Sequence, residues 1–329
     1  MKAIVQEGYG SADVLHLREI AQPAVPDDGV LVRIHAASVN AMDCHFLHGA
    51  LPVRLMMGLR RPKVPVRGVD LAGQVETVGK SVTRFKPGDE VFGSARGTFA
   101  EYAVAVEDRL APKPQRLTFE QAAAIPVAGL TALQGLRDRA RVQPGQRVLI
   151  HGAGGGVGTF AVQIAKALGA HVTAVTGPDN VDLVRSLGPD EVIDYTREDL
   201  ARRSERYDVF FDVAAHRPLA DCRRVLAPGG ALVMAGAPKG GVFSVVARLL
   251  GVAVLSRFAR PQQIGLVSAK VKPQDLAALA ELTGSGKVTP AIDRTYSLEQ
   301  VPDAFRYAGG GRARAKVVIR VGGGALTTA

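Results

Sequence analysis

A strand-like run, Arg147-Val148-Leu149-Ile150-His151, leads directly into Gly152-Ala153-Gly154-Gly155-Gly156-Val157-Gly158 and then into a helix-forming stretch, 159–168. No other feature narrows the possible folds as much. Glycine lets backbone approach a ligand that a Cβ would hold off, and the first N–H groups of a helix have no acceptor within it. Such a turn suits a phosphate. In a G-x-G-x-x-G frame the marked positions are Ala153, Gly155 and Gly158. The second leaves room for a pyrophosphate, and the third lets helix and strand pack closely. A glycine turn alone also fits a tight strand-to-helix corner, so its surroundings must decide.

The surroundings alternate. Strands are expected at 147–151, 171–176, 191–194, 207–213 and 231–235, with helices at 159–168 and 181–187 and another running to Leu226. Residues 264–271 read as the last strand. This order predicts a doubly wound parallel sheet with helices on both faces, a Rossmann-type α/β domain. The glycine turn is then a dinucleotide site, with Ala153, Gly155, Gly156 and Val157 as its contacts.

The first hundred residues differ. Short apolar or alternating runs at 2–6, 29–37, 73–78, 90–92 and 99–104 are separated by turn signals such as Asp27-Asp28-Gly29 and Lys86-Pro87-Gly88-Asp89. They predict a compact, barrel-like β domain. Arg54–Pro62 interrupts it as a short helix and loop. Thr118-Phe119-Glu120-Gln121 has the form of a capping box and opens the next helix. A helix at 273–283 and a β-rich tail ending in 316–321 return to the first domain. A chain of 329 residues exceeds the ~250–300 that one core serves, so two domains are expected. They are 1–120 with 273–329, and 121–272.

Composition removes several function classes. The net charge is +10, but the arginines are scattered and Trp is absent, so no stacking platform for nucleic acid is expected. Two cysteines, Cys44 and Cys222, make neither a disulfide framework nor a four-thiolate zinc site. The most apolar stretch, Val242–Leu255, contains Arg248 and falls short of the ~20 residues of a membrane span. Residues 54–63 and 242–258 mix apolar side chains with arginine. That mixture fits a substrate cleft, a subunit interface or peripheral contact with a membrane. MKAIVQEGYG lacks a signal-peptide core, and the cytoplasm is the expected compartment.

The second strand of the alternating half ends Ala174-Val175-Thr176-Gly177. An NAD-binding fold usually carries an acid there against the ribose 2′-hydroxyl. A carboxylate would repel a 2′-phosphate, so its absence favours NADP(H). Thr176, Asn180 and Tyr195 are the candidate partners of that phosphate; ordinary turn chemistry is the competing reading for Asn180.

These segments resemble the zinc-independent medium-chain dehydrogenase/reductases, particularly the quinone oxidoreductase-like members. The resemblance rests on GAGGGVGTFAVQIAKALGA, VRSLGPDEVIDY, CRRVLAPGGALVMAG, PAIDRTYSLEQVPDAFRYAGGGRARAKVVIRV, VRIHAASVNAMDCHFLHG, VRGVDLAGQVETVG and FKPGDEVFG, in the family's order over nearly the whole chain. It implies a GroES-like barrel catalytic domain beside the Rossmann domain, and reduction of quinones or α,β-unsaturated carbonyls. An alcohol, aldehyde or enoyl-thioester reductase of the same superfamily is the alternative, as is an NADPH-binding sensor or partner protein with little turnover. Zinc-dependent members carry a Cys ligand where this chain has Asn40, and a Gly-His-Glu triplet where it has Gly68-Val69-Asp70. No metal site is expected.

By the same resemblance, Asn40 either donates to the substrate oxygen or fixes the nicotinamide ribose. Asp43 either orients its neighbours or is a capping residue. His45 either relays a proton or is structural. Thr131 matches a nicotinamide contact, Gly236 a segment along the nicotinamide ribose, and Arg312 or Lys316 approaches the cofactor from the tail. A homodimer is expected, joined edge to edge at strand 264–271.

Overall fold

The computed structural model describes residues 1–215, 217–235, 263–311 and 313–322. Gly236, Arg312 and the apolar stretch 242–255 lie outside the described residues. Strands are β1 (Lys2–Gln6), β2 (Leu15–Glu19), β3 (Gly29–Val39), β4 (Asp70–Val78), β5 (Glu90–Ser94), β6 (Tyr102–Val106), β7 (Leu110–Pro112), β8 (Arg147–His151), β9 (His171–Thr176), β10 (Glu191–Asp194), β11 (Tyr207–Asp212), β12 (Leu226–Met234), β13 (Gln263–Leu266), β14 (Ile292–Ser297) and β15 (Lys316–Arg320). Helices are α1 (Ala41–His48), α2 (Leu51–Met57), α3 (Phe119–Ala123), α4 (Pro126–Leu133), α5 (Gly156–Ala167), α6 (Val181–Ser186), α7 (Leu219–Arg224), α8 (Pro273–Gly284) and α9 (Val301–Gly309).

Contacts group the described residues into two units. One takes in Met1–Val127, Val271–Gly284 and Pro290–Ala329; the other takes in Ala128–Lys270 and Ser285–Thr289. The short return segment joins the second unit through Gln163, whose amide donates to Thr289 O at 3.0 Å and accepts from Thr289 N at 2.7 Å.

In the second unit the strands are all parallel, in the order β10-β9-β8-β11-β12-β13. This is the 3-2-1-4-5-6 order of a doubly wound sheet. The strand centres carry the apolar residues of a parallel sheet, and Val148, Leu149, Ile150, Val172, Val175, Phe210 and Phe211 are all fully buried. Helix α5 starts at Gly156, three residues before the expected position, because Gly155 serves as its extended N-cap. The last strand is shorter than the expected 264–271. Gln134 clamps Lys270 by donating to its carbonyl at 2.6 Å and accepting from its N–H at 3.0 Å, which takes that backbone out of the ladder.

In the first unit β3 is the organising strand. Gly29–Arg33 pair with β6, Ala36–Val39 pair with β15, and β4 runs along the other side. One long strand thus serves two neighbours in turn, which curls the sheet β14-β15-β3-β4-β5-β7 around a core that includes Val32, Ile34, Leu71, Val91, Phe99 and Ile319. The expected strand at 99–104 begins at Tyr102, since Phe99 and Ala100 pair with β1 instead. The expected capping box is present, with Thr118 Oγ1 accepting from Gln121 N at 3.2 Å. The tail is mixed, not uniformly β: α9 buries Val301, Ala304 and Phe305 at i, i+3, i+4 spacing. Helix α2 has no buried residue, and Leu51, Leu55 and Met56 are exposed. No helix among the described residues is long and apolar enough to cross a membrane.

Candidate active site

At the end of β8 the chain turns through Gly152, whose φ of +84° is open to glycine and costly for other residues. A Cβ on Gly158 would lie 2.1 Å from the Gly152 carbonyl oxygen and 2.7 Å from Ala153 Cα, so helix and strand meet backbone to backbone. A Cβ on Gly154 would meet Asn180 Cβ at 2.7 Å and Thr176 Oγ1 at 2.8 Å. The turn is therefore seated against the tip of β9. Around Gly155 the space is open, with Gly152 O the nearest atom, 3.5 Å from a Cβ built there. Gly156 and Val157 then begin α5 with their N–H groups at its positive end.

The structure brings the phosphate candidates together. Thr176 ends β9, Asn180 follows Gly177 within one short turn, and the Tyr195 hydroxyl lies 3.0 Å from where a Gly177 Cβ would stand. Asn180 Oδ1 is buried with no hydrogen-bond partner, a polar atom that a bound group can satisfy. Asp194, next to Tyr195, is occupied: its Oδ1 accepts from Thr196 N at 2.9 Å and Thr196 Oγ1 at 2.8 Å. An open turn, an orphaned amide oxygen and a strand end with no carboxylate at Thr176 or Gly177 together fit a dinucleotide. Thr131 is buried on α4.

One pair here was not visible in sequence. His151 Nδ1 and Asp212 Oδ1 are 2.9 Å apart, both buried, at the ends of neighbouring strands β8 and β11. The same oxygen accepts from Ala215 N at 2.9 Å and holds the loop after β11, where Ala215 has a φ of +55°. Sixty-one residues separate the partners, and only strand pairing makes them neighbours.

The first unit contains a buried polar cluster at the end of β3. Asp70, with none of its surface exposed, opens β4. Its Oδ2 accepts from Ser38 Oγ and Asn40 Nδ2, both at 2.9 Å, and its Oδ1 accepts from Val127 N at 3.1 Å. Lys316, 3% exposed, opens β15. Its Nζ donates to Asn40 Oδ1 at 2.6 Å, and Val39 O and Asp70 Oδ2 lie at 3.4 and 3.5 Å. Asp43, in the first turn of α1, accepts from Asn40 N at 2.8 Å.

Asn40 and Asp43 thus join Asp70 and Lys316. His45 does not join them: it is two residues beyond buried Asp43 on α1 and its side chain is exposed. Lys316, expected to approach the cofactor from the tail, lies on β15 beside β3, and its amine turns inward onto Asn40. Sequence alone does not show this contact, because the partners are 276 residues apart.

Burial governs the charges in this cluster. It raises the Asp43 carboxyl to about 7, assisted by Asp70 and opposed by the Asn40 N–H and Lys316. Burial lowers the Lys316 pKa, against the pull of Asp70 and Asp43. The Cys44 thiol is pushed up to about 12 by burial and by Asp43, which makes it a poor thiolate ligand. Among the described residues no three His, Cys, Asp or Glu side chains converge as a metal-binding set.

A testable consequence concerns pH. Asp43 binds its proton more tightly folded than unfolded, where the ordinary value is 3.8, so its stabilising contribution is complete below that value and lost as pH rises toward 7. The melting temperature of Asp43→Asn minus that of the wild type should therefore increase between about pH 4 and pH 7. A difference that stays flat across this window would show that Asp43 ionises normally.

An alcohol dehydrogenase GroES-like domain matches residues 26–115, and a zinc-binding dehydrogenase domain matches residues 187–319. A chloroplastic quinone-oxidoreductase homolog of Spinacia oleracea is 33% identical over 333 residues, covering 97% of this chain and 98% of its own length. The chloroplastic NADPH-dependent alkenal/one oxidoreductase of Arabidopsis thaliana is 34% identical over 337 residues, covering 97% and 79%. The solved quinone oxidoreductase from Coxiella burnetii superposes with a TM-score of 0.86 at 29% identity, covering 98% and 99%. The chain belongs to the quinone oxidoreductase-like branch of the medium-chain dehydrogenase/reductase superfamily.

Proposed function

We propose that this protein reduces quinones or α,β-unsaturated carbonyl compounds with NADPH, without zinc. The observation that carries this reading is the Asn40 amide, held at both ends where a zinc enzyme places its first thiolate. Its oxygen is taken by Lys316 and one N–H by Asp70, which leaves the other Nδ2 hydrogen for a substrate oxygen. Bound NADPH supplies the hydride. As charge moves onto the oxygen of a conjugated carbonyl, a fixed N–H aimed at it lowers the barrier. The relatives' names, a quinone-oxidoreductase homolog and an NADPH-dependent alkenal/one oxidoreductase, support this substrate class.

The cofactor is proposed to lie on Ala153, Gly155, Gly156 and Val157, with its 2′-phosphate toward Thr176, Asn180 and Tyr195. NADPH should bind more tightly than NADH, and Gly177→Asp should erase or reverse that order. The three atoms nearest a Cβ built at Gly177 all belong to Tyr195, an exposed side chain that can move aside. Titration of the quenching of cofactor fluorescence measures both affinities; equal wild-type affinities would refute the phosphate assignment. The companion screen oxidises each cofactor with quinones, enones, enals and aldehydes, with and without a chelator. NADPH binding without turnover on any acceptor would favour a sensor, and loss of activity on chelation would overturn the zinc-free mechanism.

Asn40→Ala should lower turnover on the order of 10²–10³-fold, the typical cost of one oxyanion donor. His45→Phe should cost less, since His45 is exposed outside the cluster. Weakened NADPH binding in Asn40→Ala, with turnover kept, would instead make Asn40 a ribose contact.

A homodimer is proposed through the outer edge of β13, which ends the parallel sheet and pairs only with β12 among the described strands. Sedimentation should give twice the chain mass at micromolar concentration; a monomer there would exclude it.

A further inference from the structure

We propose that Lys316 is a positioning residue for this reaction: it clamps Asn40 Oδ1, so that the amide presents N–H and not C=O to the reacting oxygen. The inference rests on the reductase reading above. An asparagine amide is nearly symmetric in shape, and rotation by half a turn about its last bond exchanges donor for acceptor. Steric packing alone therefore cannot choose between the two orientations. Hydrogen bonding can. Asp70 is acceptor-only when ionised and takes an N–H at 2.9 Å, whereas an ammonium is donor-only and takes the oxygen at 2.6 Å. The flipped amide would set oxygen against carboxylate and NH₂ against ammonium, losing both bonds.

The clamp is built into the fold. Lys316 opens β15, whose residues Val317–Arg320 pair with Ala36–Val39 of β3 directly before Asn40. The amine also has Val39 O at 3.4 Å and Asp70 Oδ2 at 3.5 Å, so the Asn40 oxygen is by far its nearest acceptor. The bond to Asn40 is short, as charge-assisted bonds are. Lys316 is the more deeply buried of the two, at 3% exposure against 8% for Asn40, and is proposed to act on substrate through Asn40.

The test compares two neutral replacements, Lys316→Met and Lys316→Gln. Both lose the charge and leave Asp70 without its cation, so both should melt earlier by similar amounts. Glutamine keeps a donor for Asn40 Oδ1 and methionine does not. We expect Lys316→Met to lose kcat on the order of 10²-fold, the scale of a misplaced catalytic group, with KM for NADPH little changed. Lys316→Gln should recover at least about tenfold of that loss, as one restored hydrogen bond allows. Equal kcat in the two variants, or losses that follow melting temperature, would make Lys316 merely structural and overturn the proposal. Should Lys316→Met fail to fold, the cofactor-free wild type decides by ¹⁵N NMR. A resolved, slowly exchanging Lys316 ammonium signal supports the clamp, and exchange at the rate of a free lysine overturns it. Because this measurement needs no turnover, it separates the failure of the clamp from the failure of the reductase reading.

Discussion

The buried Asp70 carboxylate is the constraint on which the first unit turns. A charge with no exposed surface is tolerated only when its oxygens are satisfied. Asp70 meets that demand by collecting Ser38 and Asn40 from the end of β3, Lys316 from β15 and the backbone of Val127. Three strand ends and the entry to α4 are thereby held at one point. Removing any one partner leaves a buried group unpaired, so the site and the barrel around it stand or fall together.

The second unit is organised by steric exclusion rather than charge. Backbone from Gly152, Ala153 and Gly158 fills the space that side chains take elsewhere, and Gly154 rests on Thr176 and Asn180. This packing sets the glycine turn at the carboxyl ends of the parallel strands, where open α/β sheets bind ligands. His151 and Asp212 reinforce the same edge, linking β8 to β11 and restraining the loop at Ala215. A compact turn and a buried polar pair thus hold this edge of the sheet.

Much of this was legible in the sequence, and the parts that were not share a cause. Parallel strands buried on both faces are apolar runs with sharp ends, so β9 and β10 were read with their observed limits. The Thr118–Gln121 box is local and was equally clear. Within the tail expected to be β-rich, Val301, Ala304 and Phe305 carry the helical spacing that α9 realises. Strand β13 was read too long because the clamp between Gln134 and Lys270 joins residues 136 positions apart. Asn40 and Asp43 were singled out by resemblance, whereas the partners that orient Asn40 were not.

The sequence by itself determined the two-domain α/β plan, the glycine turn and the absence of a carboxylate at Thr176-Gly177. These depend on periodicity and on residues adjacent along the chain, where spacing and side-chain type are sufficient. Only the tertiary structure decided that Lys316 serves Asn40, that His45 stands apart from Asp43, and that His151 meets Asp212. Each depends on which strands lie side by side, since hydrogen bonds reach about 3 Å and the pairing of β15 with β3 brings residues 276 positions apart within that distance.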